Sequence, residues 1–452
     1  MHWRLLLLIV CLLPASCRKL LDLDAPGDRV TNTSAFASNV SAAGVLTGLY
    51  YEMSAGGTFM GDHGISYLCA LSADEFILQQ EDELPLSMYR NEVLTTNVPF
   101  WRVMYQYIYR ANGAIEGLTA STRLTPAIRQ QLLGEAKFIR AFCYFYLVNL
   151  FGEVPLVTST DYKVSAAMYR TPVHQVYSQI VYDLQDAQQL LREEYLLPDI
   201  VSVTTERVRP NRTAATALLA RVYLYLENWP AAIAAATTVI DNRAVYDTVP
   251  LQQVFLKNSK EAIWQLHPVD KVFTDDAILF LQQRPVQLSK TLIQAFEQDD
   301  LRRRYWLYSA SLAVPGKYQY TSETGPASEY LVVLRLAEQY LIRAEARLQT
   351  GDIDGAKDDL TVIRMRAGLS AVHAGSAHVL MKAVQQERRV ELFAEWGHRW
   401  MDLKRWHATD EIMPAAAMAK GGSWQSYKGL YPVPHSEMLL NGHLSQNEGY
   451  PE

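Results

Sequence analysis

Cysteine is scarce in this chain. There are four in 452 residues, and no two stand in a CxxC pair. That leaves no sequence basis for a cysteine-ligated zinc site or a dithiol redox pair. A run long enough to cross a membrane is also missing. The N-terminal stretch Leu5 to Leu13 holds nine apolar residues, and nine helical residues cannot span a ~30 Å hydrocarbon core. No block of Lys and Arg occurs, and the net charge is −6. Nucleic acid is therefore not an expected partner. Several catalytic signatures are absent too. HExxH and GxSxG do not occur, and the glycine-rich "GGTFMGDHG" lacks the Lys-Ser/Thr of a phosphate loop.

What is present begins at the N-terminus. "MHWRLLLLIVCLLPASCRKLLDLD" has a basic residue (Arg4), the short apolar run, then Ala15, Ser16 and Cys17. This order predicts a secretory signal peptide over 1–16. Ending on a cysteine, it resembles the leader of bacterial lipoproteins, which implies cleavage before Cys17 and lipid on that residue. Pro14 departs from the usual aliphatic residue, and the alternative is a soluble periplasmic protein cleaved nearby. Of the other cysteines, Cys11 falls in the leader. Cys143 sits in an apolar helical run, where a buried small hydrophobe is its expected role; Cys69 is far from it in sequence.

The body reads as helix after helix. "LTPAIRQQLLGEAKFIRAFCYFYLVNLFG" places Thr125 as N-cap and Pro126 at the first helical position, and Gly152 stands just past the end. "TPVHQVYSQIVYDLQDAQQLL" repeats the device with Thr171 and Pro172. Short stretches such as "AIWQLHPV" suit a few strands. A repeat links residues 217–240 and 341–364 at a shift of 124: Ala220 meets Ala344, Leu224 meets Leu348, Ala232 meets Ala356, and Val239 meets Ile363. Each copy is a small-residue helix, a tight turn and a second helix, which resembles a tetratricopeptide unit; such units stack because neither helix pair can bury its face alone, and the alternative is a generic αα-hairpin. Residues 50–98, 192–209, 241–330 and 407–452 lack a clear period. Loops that long in a compact chain usually carry function.

"YLVVLRLAEQYLIRAEARLQTGD", "QQERRVELFAEWGHRWMDLKRW" and "LYPVPHSEMLLNGHLSQNEGY", in that order, resemble the C-terminal motifs of the SusD/RagB family. Upstream, "YQYIYRANGAIEGL" and "GEAKFIRAFCYFYLVNLFGEVPLV" resemble its N-terminal half. The resemblance implies a mainly α-helical fold, with four tetratricopeptide-like helix pairs packed against a loop-rich half with a few short strands. It implies an N-terminal region over 17–210 and a C-terminal region over 211–452. It also implies an outer-membrane lipoprotein, facing outside, that binds oligosaccharide or another nutrient. Its partner would be a SusC-like TonB-dependent transporter. No catalysis, cofactor or metal is implied. Arg18 and Lys19 follow the lipid cysteine where family members commonly carry an acidic export tract.

Sugar capture calls for aromatic faces beside planar polar groups. Two aromatic stretches outside the expected helices qualify. One offers Tyr305, Trp306, Tyr308, Tyr318 and Tyr320, with Arg302 to Arg304 as donors; the other offers Tyr89, Arg90 and Asn91. The expectation is that they form one site; the alternative is that these aromatics pack against the helical half. Two further functions stay open: a tetratricopeptide-type scaffold in outer-membrane assembly, and a surface glycosidase with Asp74 and Glu75 as its carboxylates. His435 with Glu437 is a poor metal pair. "GDIDGAKDD" has the flavour of a calcium loop but lacks its closing Glu, and it falls at the repeat turn.

The segment Glu387 to Trp406 is dense in charge and tryptophan. As one helix it would bury Phe393, Trp396, Trp400 and Leu403 in a stripe. It would pair Glu395 with Arg399, Arg388 with Glu391, and Arg399 with Asp402. His398 would be a structural partner, and Gly397 would mark the close approach of another backbone. The segment is expected to be structural.

Overall fold

A computed structural model describes residues 32–451, except 56, 58, 310–312 and 374–375. The signal peptide and Cys17 lie outside the described residues. Eight helices form the frame: α1 (Asn39–Ala55), α2 (Trp101–Ala120), α3 (Pro126–Phe151), α4 (Val173–Leu190), α5 (Arg212–Tyr225), α6 (Trp229–Asp241), α7 (Leu336–Gln349) and α8 (Ile353–Arg366). Each packs on the next, giving four successive pairs in one array. The mainly α-helical architecture is as the sequence implied, and the strands are short two-stranded ladders.

The two repeat copies close their turns in the same way. Asn228 N donates to Tyr223 O, and Asp352 N to Arg347 O, both at 2.9 Å. Glu227 and Gly351, related by the 124-residue shift, both have positive φ, 55° and 86°. The next residues, Asn228 and Asp352, cap α6 and α8 with their side chains, accepting from Ala231 N and Gly355 N. Asp352 of the calcium-like stretch is therefore a helix cap. Where the copies meet, Ala220, Ala232, Ala236 and Ala346 form a small apolar cluster, their size letting the helices approach closely.

The prolines of α3 and α4 act differently. Pro126 begins α3, but the Thr125 hydroxyl makes no cap bond; Asn39 Nδ2 donates to it instead. Pro172 is the cap of α4 and not its first residue, because Thr171 bridges to Val154. Three of the stretches expected to be irregular, 50–98, 241–330 and 407–452, contain helices, and two of these helices show why they are hidden. Ile65–Ser72 is buried on every side, so its sequence shows no amphipathic period; Thr409–Ala419 carries Pro414 inside it, which masks a helical pattern.

The loop-rich half is fastened by aromatic and ionic contacts. "AIWQL" is a strand, Ala262–Leu266, antiparallel to Leu331–Arg335. Its Trp264 meets Phe138 and Phe142 of α3 edge-on, with ring centroids at 4.9 and 5.3 Å, and donates to Val208 O. Trp396 also meets Phe142, at 5.6 Å.

Residues 387–406 do not form one helix. Ala377–Glu391 ends at Leu392, a turn follows, and His398–Arg405 is a second helix. Ala394, Trp396 and Gly397 all have positive φ, 53°, 46° and 69°, which a continuous α-helix cannot contain. The expected ion pairs are consequently different. Glu395 holds Lys317 and Arg335, Arg399 holds Asp74, and Arg388 holds Asp402. Gly397 is closely approached, but by a side chain and not by another backbone: a Cβ there would lie 2.8 Å from the Cys69 Cβ.

Candidate functional site

The aromatic stretch 301–325 splits in two. Trp306 and Tyr318 are interior residues, 1% and 6% exposed. The Trp306 indole donates to Leu251 O at 3.0 Å, and its ring packs edge-on to Phe255. Lys317, Arg335 and Arg366 surround that ring as cations. Tyr318 receives the Val332 amide on its hydroxyl. Neither ring is open to a ligand, which corrects the expectation for both. Arg302 is fully buried, its guanidinium shared by Asp300, Glu387 and Glu391.

Tyr308 and its surroundings face outward. Tyr308 is 43% exposed, and the Arg284 guanidinium lies 5.6 Å from its ring centre. Arg284 ends a π-helical turn, residues 278–283, in the left-handed conformation. Such turns cluster at functional sites. Gln282 and Gln283 on that turn, with Gln79 and Gln80 opposite, are exposed. The backbone binds these pieces together: Phe76–Leu78 pairs with Val286–Leu288, and Gln79 N donates to Pro285 O at 2.7 Å. Gln80 Nε2 reaches Gln283 O at 3.3 Å, and Gln282 Nε2 reaches Thr321 O at 3.5 Å. Tyr320, half-buried beside Thr321, donates to Thr324 O. Tyr305 is half-buried under Arg304, 5.4 Å from its ring. The result is an exposed ring with a guanidinium over it, on a cluster of joined loops that also carries four exposed glutamines. The four glutamines went unnoticed in the sequence; their pairing across a strand ladder is the signal, and it is invisible without the fold.

Tyr89, Arg90 and Asn91 belong elsewhere. Asn91 is buried, with positive φ, and donates to Ser72 O. Arg90 packs its backbone against Gly422. Tyr89 lines a separate cavity with Asp74, Arg389 and Arg399. The lining of that cavity includes none of Tyr305, Trp306, Tyr308, Tyr318 and Tyr320.

Two sequence profiles match the chain. One, described as SusD family, covers residues 294–450, and one, described as starch-binding associating with outer membrane, covers 45–224. The chain belongs to the SusD/RagB-like family. SusD-like protein P2 of Formosa agariphila is 25% identical over 423 residues, spanning 78% of this chain and 80% of that one. Starch-binding protein SusD of Bacteroides thetaiotaomicron is 32% identical over 162 residues, 32% of this chain and 27% of that one. A solved laminarin-binding SusD-like protein superposes with a TM-score of 0.76 at 21% identity, covering 90% of this chain and 99% of that one.

In this SusD-like chain the segment 387–406 joins the loop-rich half to the helices. Glu391 is in contact with Arg302, Arg335 and Arg366. Burial opposes its charge, but the three guanidiniums hold its carboxyl well below the usual range. Trp400 is buried, stacked on Tyr431 at 6.3 Å. His398 is buried, and burial with the charges of Arg221 and Arg388 keeps its imidazole neutral. Asp74 and Glu75, the glycosidase candidates, are both buried. Asp74 is occupied by Arg399 and Arg389; the Glu75 carboxyl is pushed up to about 8 by burial and by the Asp74 charge. No helix among the described residues is long and apolar enough to cross a membrane.

Proposed function

We propose that this chain is an outer-membrane lipoprotein that captures oligosaccharide and passes it to a SusC-like TonB-dependent transporter. The observation that carries the reading is the exposed face of Tyr308, Arg284, Gln79, Gln80, Gln282 and Gln283. A pyranose ring offers an apolar C–H face and a rim of hydroxyls. The tyrosine ring takes the first, and amides and guanidinium supply planar donors and acceptors for the second. The names of two relatives, a starch-binding protein and a laminarin-binding protein, support a glucan or similar glycan as ligand. The two carboxylates considered for glycoside hydrolysis, Asp74 and Glu75, are buried and do not open onto this face. Lipid on Cys17 would anchor the chain, and Tyr320 would extend the face.

The test is a glycan array followed by titration calorimetry with maltooligosaccharides and laminarioligosaccharides. Binding should appear with at least one glycan and should weaken about tenfold in Tyr308→Ala, the scale of one lost ring contact. An array with no binding, or an unaffected variant, would reject the site. Co-purification with a TonB-dependent barrel tests the transfer step. Labelled palmitate entering the wild type but not Cys17→Ala tests the anchor.

A further inference from the structure

A cavity of about 580 Å³ lies apart from the Tyr308 face. Its size suits an organic ligand of one or two rings. One wall is built by the helix Thr409–Ala419. Ile412, Ala415, Ala416 and Ala419, at helical spacing, turn one shallow side toward the cavity. Tyr89, Phe76 and Ile77 add the remaining apolar lining. Small side chains along a helix leave a smooth surface, and an aromatic ring completes a slot for a flat body.

The polar lining carries an excess of positive charge. Asp74 is shared between two guanidiniums. Arg399 Nε and Nη2 lie 2.7 and 3.0 Å from it, and Arg389 Nη2 lies at 2.7 Å and also donates to Thr291. One carboxylate thus faces two cations. The remaining Nη1 of each arginine makes no hydrogen bond among the described residues, and the buried Arg389 Nε has no partner. Lys290 and Glu411 offset each other at the rim. Lys420 is occupied by the carbonyls of Leu71 and Ala73, and burial lowers its ammonium to about 7. Setting Lys420 aside, the lining has Arg389, Arg399 and Lys290 against Asp74 and Glu411, a surplus of one positive charge. A guanidinium with free N–H groups in a partly desolvated pocket favours a carboxylate over a neutral amide.

We propose that this cavity is a second ligand site, separate from the glycan face, that takes planar aromatic carboxylates. The aromatic body lies along the alanine wall and Tyr89, and the carboxylate meets the free edges of Arg389 and Arg399. This site stands whether or not the Tyr308 face binds glycan.

Calorimetry on the purified chain tests it with three probes: 2-naphthoate, 2-naphthamide and D-glucuronate. Naphthoate should bind at least tenfold more tightly than either of the others. Naphthamide keeps the ring and loses the charge; glucuronate keeps the charge and loses the flat apolar body, so it also separates a free aromatic acid from an acidic sugar. Ala415→Phe, which fills the cavity from an exposed helix position, should weaken naphthoate at least tenfold at unchanged Tm. Tyr308→Ala should leave naphthoate binding intact. Equal binding of naphthamide or glucuronate, no saturable naphthoate binding, or an unaffected Ala415→Phe would each overturn the proposal.

Discussion

Glu227 and Gly351 occupy the same turn position in the two repeat copies, and both adopt a left-handed backbone, φ 55° and 86°. Only one of the two suits it. A residue with a Cβ costs about 1–2 kcal/mol in that conformation, whereas glycine costs only its extra freedom in the unfolded chain, about 0.5–1 kcal/mol. Glu227→Gly should therefore raise stability by a few tenths to about 1 kcal/mol, and Gly351→Ala should lower it by a similar amount. Denaturant melts of the two variants should shift in opposite directions.

Glu391 is the hub of a buried cluster with Arg302, Arg335 and Arg366. Glu391→Ala leaves three guanidiniums without their shared partner, and breaking buried pairs in this way typically costs about 3–5 kcal/mol. Chemical denaturation should show a loss of that order. A change below about 1 kcal/mol would mean the cluster does not hold the loop-rich half in place.

The Glu75 carboxyl is raised to about 8, first by burial and then by Asp74. A raised pKa means that the folded chain binds the proton more tightly than the unfolded chain. The stabilisation is complete below the unfolded value near 4.3 and is lost as pH rises through about 8. Glu75→Gln cannot lose that proton. The stability of wild type relative to Glu75→Gln should fall steadily between about pH 4.5 and 8. A flat difference across that window would show that Glu75 keeps an ordinary pKa.

Trp306 and Tyr308 stand two residues apart and should behave oppositely. Trp306→Ala empties an interior site and should cost about 3–5 kcal/mol. Tyr308→Ala removes a half-exposed ring and should leave the melting temperature within a degree or two of wild type while weakening glycan. Calorimetric melting of both variants separates the roles.

The helical frame was legible because paired helices impose a period and the repeat imposes a copy. The turn of 387–406 was not: its apolar residues fit a helical stripe, and nothing local to Ala394 or Trp396 announces a left-handed backbone. Trp306 and Tyr308 show the same limit for the site. Both belong to one aromatic run, and only the docking of Leu251 and Phe255 over one of them decides which is core. The glutamine pairs at 79–80 and 282–283 are joined by a strand ladder that no spacing in the sequence reveals.

The helices α6 and α7 pack on each other across residues 242–335, with the strand pair 262–266 and 331–335 as the clasp. The array therefore tolerates an excursion whose length it does not set. Closing a flexible loop twice as long costs only about 0.6 kcal/mol more. The outer part of that excursion, including the π-turn and Tyr308, can be exchanged or lengthened while the clasp and the helices stay as they are, so ligand preference and scaffold stability can diverge independently in related chains.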